Sequence, residues 1–126
     1  TQFTFTKNAA SNTFSLQVAS PDGAFTKTGS LASIPGIPSS GDEGCYAYGG
    51  GTESFTFVPS TTGNPNSLTQ TAILLSGNTV YIGYGSLQKE YEIVEISESV
   101  MKLRIQGTET GNAWYLTLIP ADQLIF

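Results

Sequence analysis

The feature that most constrains this chain is an alternation of apolar and polar residues with period two. It recurs from end to end, and no stretch holds apolar residues at i, i+3, i+4 and i+7 for three turns. Successive side chains of a strand point to opposite faces, so this pattern builds sheets that are apolar on one side. Phe3 and Phe5 alternate with Thr4 and Thr6, residues 8–12 turn the chain, and Phe14, Leu16 and Val18 alternate with Ser15 and Gln17. That is the signature of an opening hairpin. In Ser20-Pro21-Asp22-Gly23 the proline and the glycine suit the fixed and positive φ angles of a turn, which predicts a third strand over residues 24–28.

Residues 31–44 carry Pro35, Gly36, Pro38, Ser39, Ser40 and Gly41, which break both helices and ladders, and they read as a long loop. A long structureless connection is uncommon in a compact domain and is often functional or disordered. A short strand over residues 45–48, a hinge or bulge at Gly49-Gly50-Gly51 and a strand through Phe55, Phe57 and Val58 follow. After a polar loop at residues 59–67, the pattern predicts strands over residues 71–75, 79–84, 90–96, 100–106 and 113–119. Short, even connections make these antiparallel neighbours, hence a meander. The fold class is all-β: an antiparallel β-barrel or barrel-like β-sandwich of about 8–10 strands, with the barrel favoured by the continuous meander. The expected buried set is Phe5, Phe14, Leu16, Val18, Phe55, Phe57, Leu74, Val80, Ile82, Ile93, Met101, Leu103, Ile105, Leu116 and Leu118.

A chain of 126 residues suits one core, so a single β domain over 1–126 is expected, and no window approaches a membrane-spanning run of apolar residues. With five basic residues against ten acidic ones, a net charge of −5 and no Lys/Arg cluster, nucleic acid and membrane insertion are not expected. The chain starts at Thr1, which suggests a monomeric module excised from, or processed out of, a longer secreted protein. Charged residues are only 12% of the chain, and the hydroxyl-rich remainder leans towards an extracellular location. Cys45 is the one cysteine, so an intrachain disulfide and a cysteine-based metal site are excluded.

The chain has no histidine, which removes the usual general base and every Ser-His or Cys-His dyad. A glycosidase needs only two carboxylates, and acids stand at Asp42, Glu43, Glu53, Glu90, Glu92, Glu95, Glu98 and Glu109. Glu90, Glu92 and Glu98 are expected at strand ends or turns as solvated groups. Asp42-Glu43, in the long loop beside Tyr46 and Tyr48, is the pair to watch for catalysis or calcium. The expectation is no enzyme, no cofactor and no metal. Gly49-Gly50-Gly51 has neither a following helix nor a Lys-Ser/Thr pair, so it is no phosphate cradle.

The aromatic residues carry the best functional signal. Over residues 113–119, Trp114, Leu116 and Leu118 share one face and Tyr115 the other, and over residues 79–84 Tyr81 faces away from Val80, Ile82 and Tyr84. Tyr81 and Tyr115 are thus the expected outward aromatics. An exposed ring flanked by hydroxyl and amide groups can stack on a sugar. The candidate ligand-binding residues are Tyr46, Tyr48, Tyr81, Tyr84, Trp114 and Tyr115.

From Val80 to Pro120 the chain carries Tyr81-Ile82-Gly83-Tyr84, Tyr91-Glu92-Ile93-Val94-Glu95-Ile96, Met101-Lys102-Leu103-Arg104 and Asn112-Ala113-Trp114-Tyr115-Leu116. This order resembles the lipocalin-like β-barrel modules of Bacteroidetes surface glycan-binding proteins and multimodular polysaccharide-degrading enzymes. The resemblance covers the last third, and no tryptophan precedes Trp114. It implies an extracellular or outer-membrane-surface carbohydrate-binding module in polysaccharide utilisation, with a polysaccharide or oligosaccharide of the β-glucan class as ligand. The alternatives are a lipocalin-like carrier of a small apolar molecule and a structural or adhesive spacer. Phe5, Phe14, Phe55, Phe57 and Trp114 are expected to fill a small barrel, which weighs against the carrier.

Overall fold

The computed structural model describes residues 1–21, 23–27, 43–46, 50–77, 80–82, 89–106 and 113–123. It is all-β, with strands β1 (Gln2–Asn8), β2 (Thr13–Ala19), β3 (Ala24–Lys27), β4 (Glu43–Tyr46), β5 (Gly50–Pro59), β6 (Thr71–Leu75), β7 (Glu90–Ile96), β8 (Met101–Gln106) and β9 (Ala113–Leu118). A 3-10 turn over Ala121–Gln123 is the one helical element among the described residues. Seven strands form one antiparallel, strongly curled sheet in the order β1-β2-β5-β6-β7-β8-β9, and β3 pairs with β4 in a separate two-stranded sheet. The curled sheet is a half-barrel, with β1 and β9 at its ends and no ladder between them among the described residues.

The registers place the apolar residues on one face. Phe5 lies opposite Leu16, Phe14 opposite Phe55, Phe57 opposite Ile73, Ile73 opposite Tyr91, Ile93 opposite Leu103, and Leu103 opposite Leu116. This concave face holds the core of Leu16, Val18, Phe55, Ile73, Leu75, Tyr91, Ile93, Leu103 and Ile105, joined by Val80, Tyr81 and Ile82. Phe14, Met101, Leu116 and Leu118 are half-buried against it. Phe5, Phe57 and Leu74, expected in the core, are exposed. Leu74 points to the convex face because its neighbours Ile73 and Leu75 take the concave one.

Three local devices hold this shape. Ser20 Oγ donates to the Gly23 carbonyl at 2.6 Å and Gly23 N–H to the Ser20 carbonyl at 3.0 Å, closing the turn that Pro21 begins, with Gly23 at φ 87°. Gly50 has φ 112°, and a Cβ there would lie 1.9 Å from the Val18 carbonyl oxygen, so only glycine lets β5 start against β2. Between Ile93 and Glu95 a bulge shifts the β7–β8 register. The carbonyls that the bulge turns out of the ladder are capped from the segment before β6: Ile93 O by Ser67 Oγ at 3.1 Å and by Thr69 Oγ1, and Val94 O by Leu68 N–H at 2.8 Å.

Residues 80–82 lie outside the ladders, and the strand expected over residues 79–84 is not found among them. The face rule therefore does not apply there, and Tyr81, expected outward, is buried at 3% exposure between Val80 and Ile82. The Glu53 carboxylate secures this segment by accepting the Val80 N–H at 2.8 Å, the Gly77 N–H, and the Ser76 hydroxyl at 3.3 Å. Tyr91 adds a second tie, its hydroxyl accepting the Ile82 N–H at 3.1 Å.

Candidate functional site

Among the described residues the concave face is not filled. Alternation sends Phe3 and Phe5 of β1, Phe14 of β2 and Phe55 and Phe57 of β5 to the same side, and among the described residues β1 has no outer neighbour to pack against them. The rings meet mostly edge to face: Phe14–Phe57 centroids lie 5.0 Å apart at 80°, Phe55–Phe57 5.4 Å at 88°, and Phe5–Phe55 5.9 Å at 87°. Phe57 remains 49% and Phe5 36% exposed. Beside them opens a groove of about 730 Å³, walled across the half-barrel by Ile73, Ile93, Ile96, Met101 and Leu118. Thr1, Gln2, Thr6, Lys7, Ser97 and Thr117 give it polar margins. The phenylalanines expected to plug the interior line it instead, because the sheet curls into a half-barrel and leaves the two edges apart.

The electrostatics of the groove are simple. Among the described residues Lys7 supplies its one charged side chain, with Nζ 6.0 Å from the Phe14 ring centroid, and no acid lines it. At another part of the fold, burial pushes the Lys89 ammonium below its ordinary pKa of 10.5, and the nearby Glu53 carboxylate opposes that shift.

On the convex face Ala72, Glu92, Arg104 and Tyr115 form one cross-strand row, standing opposite one another on β6, β7, β8 and β9. Glu92, expected as a solvated residue at a strand end, is 1% exposed in mid-strand. Arg104 Nη1 lies 3.3 Å from Glu92 Oε2 and Nη2 donates to Gln106 Oε1 at 3.1 Å, while Glu92 Oε1 is buried without a hydrogen-bond partner. A second pair on this side, Lys102 and Glu95 at 3.2 Å, is exposed.

Of the six predicted aromatics, Tyr81, Trp114 and Tyr115 have described side chains, and these three do not share one surface. Trp114, opposite Ile105, packs against the concave core, and Tyr81 is buried at the same core. Tyr115 is 68% exposed on the convex face, as expected. Tyr46 ends β4 opposite Ala24, and Tyr48 and Tyr84 lie outside the described residues, as do residues 31–42, Asp42 among them, of the loop expected over 31–44, whose last two residues, Glu43 and Gly44, open β4 instead. Sequence reasoning missed the groove. Its signal was the pile-up of Phe3, Phe5, Phe14, Phe55 and Phe57 in the first three strands of a sheet whose closure the pattern does not reveal. Comparison with protein-family models, with curated proteins and with solved structures finds no match for this chain.

Proposed function

We propose that this domain is a non-catalytic binding module that takes an apolar ligand into the concave groove. One observation carries the reading: a groove of about 730 Å³ lies against phenylalanine rings that a domain of this size would otherwise bury, and its volume falls in the range of roughly 300–1,000 Å³ common to small-molecule sites. Each methylene transferred from water into such a groove contributes about 0.8 kcal/mol, so a ligand of modest length suffices for measurable affinity. Among the described residues the groove offers no pair of titratable side chains that could exchange a proton with a substrate, which supports a binding role. A neutral fluorescent naphthylamine titrated into the protein should bind saturably and be displaced by alkanes or long-chain alcohols. Phe57→Ser should weaken it with little loss of stability, since the Phe57 ring is half open to solvent. Absence of saturable binding would sink the reading.

A second reading, a carbohydrate-binding module at the bacterial cell surface, is favoured by a separate observation. Tyr115 presents an open ring on a polar face beside Arg104 and Thr117, where a sugar could stack and hydrogen-bond. The resemblance of the last third to lipocalin-like glycan-binding modules points the same way. Retardation of the protein in gels containing soluble β-glucan, xylan or mannan, lost in Tyr115→Ala, would support it. Equal mobility in every gel would remove it.

A further inference from the structure

The groove's charge is at odds with the chain's. Acids outnumber bases ten to five, yet among the described residues no acid lines the groove and Lys7 is its one charged side chain. Lys7 is also in register with the aromatic floor: it lies opposite Phe14 on β2, its Nζ stands 6.0 Å from that ring's centroid, and the Phe14 centroid is 5.0 Å from Phe57 and 5.5 Å from Phe55. A cation at the margin and an apolar path leading from it match two parts of one molecule. We infer that the ligand of the groove is a single-chain amphiphile with an anionic head, of the long-chain fatty-acid class, whose carboxylate pairs with Lys7 and whose tail lies along Phe14, Phe57 and Met101.

The inference rests on the reading of the groove as an apolar ligand site and adds to it the charge and polarity of the ligand. Three features of the geometry support the assignment. An anion at Lys7 meets no carboxylate among the described residues that line the groove, so the attraction is unopposed locally. The Lys7 side chain is exposed, so pairing its ammonium with a carboxylate costs far less desolvation than a buried pair would. Phe14, opposite Lys7, meets Phe57 at a centroid distance of 5.0 Å, and both rings line the groove with Met101, which gives the tail an apolar path that starts at the cation.

The test uses the whole chain and two probes that differ only in charge, cis-parinarate and its methyl ester, each titrated by fluorescence below its aggregation threshold. The acid should bind more tightly than the ester at low salt, and the difference should shrink at high salt. Lys7→Gln should weaken the acid about three- to fivefold, the yield of one exposed ion pair, and leave the ester unchanged, while Lys7→Arg should keep the acid's affinity. Equal binding of acid and ester, with no effect of Lys7→Gln, would overturn the anionic head and leave the apolar groove standing. Binding of neither would remove the groove reading itself. Co-sedimentation with phosphatidylglycerol vesicles without binding of the soluble acid would assign the surface to a membrane and overturn the inference.

Discussion

Replacing Glu53 tests whether one carboxylate fastens the buried 80–82 segment to the sheet. Glu53 sits opposite Leu16 on β5, and its two oxygens accept the backbone N–H groups of Gly77 and Val80 and the Ser76 hydroxyl. Beyond these bonds lie the fully covered side chains of Val80 and Ile82. A hydrogen bond to a charged acceptor contributes about 1.5–3 kcal/mol, and a partly buried N–H left without a partner loses that and gains only partial hydration. Glu53 is itself half-buried, so the lower end applies to each of the two N–H bonds. Glu53→Ala should therefore cost about 3 kcal/mol. In Glu53→Gln the amide keeps one acceptor and sets an NH2 against the other donor, so about half that loss is expected. A domain of this length has roughly 5–15 kcal/mol of stability, so both variants should fold. Urea denaturation gives the two losses, and amide exchange at Val80 and Gly77 locates them, with protection falling there first. Stabilities within 0.5 kcal/mol of the parent (about the spread of a neutral surface change), with unchanged exchange at Val80, would refute the reasoning.

Three further outcomes follow from the packing and the charges. Leu103→Ala, at a fully buried position of the concave face, should cost about 2–5 kcal/mol in urea midpoint analysis, and a loss under half a kcal/mol would mean the face is misassigned. Arg104→Met leaves the Glu92 carboxylate buried and unpaired and should cost about 3 kcal/mol, while Glu92→Leu combined with Arg104→Met should recover most of it; a double variant as unstable as the single one would refute this. Lys89 holds its proton less tightly folded than unfolded, so its charge costs stability at neutral pH and the cost fades as pH rises towards 10.5. The stability gap between the parent and Lys89→Met should accordingly shift in the parent's favour with rising pH, and a gap that stays constant would contradict the assignment.

The strand pattern was legible because alternation is a local property. Phe14, Leu16 and Val18 on β2, Leu103 and Ile105 on β8, and Trp114 and Leu116 on β9 all take the face that the sequence assigns, and Tyr115 takes the opposite one. What failed depended on partners. Residues 80–82 alternate as a strand would, yet they join no ladder, and Tyr81 is buried with both its neighbours. Glu92 was out of reach for another reason: the β7 bulge sets which β8 residue it faces, and nothing local in Tyr91-Glu92-Ile93 announces Arg104 across the strand. The groove eluded the sequence because period two says which face is apolar and not whether the sheet closes over that face.

The junction of β2 with β5 has a kinetic meaning. The β1–β2 hairpin and the meander from β5 to β9 are each built from pairings between strands consecutive in the chain, but Ala19 meets Gly50 across residues 20–49. Joining the two parts closes that loop before the new ladder repays it, so this non-local pairing is the one that carries the entropic cost of the longest connection in the sheet. The cost grows slowly with length, about 0.6 kcal/mol for each doubling. The connection can therefore be lengthened by insertion at little thermodynamic expense, whereas any side chain at Gly50 blocks the ladder where it must start.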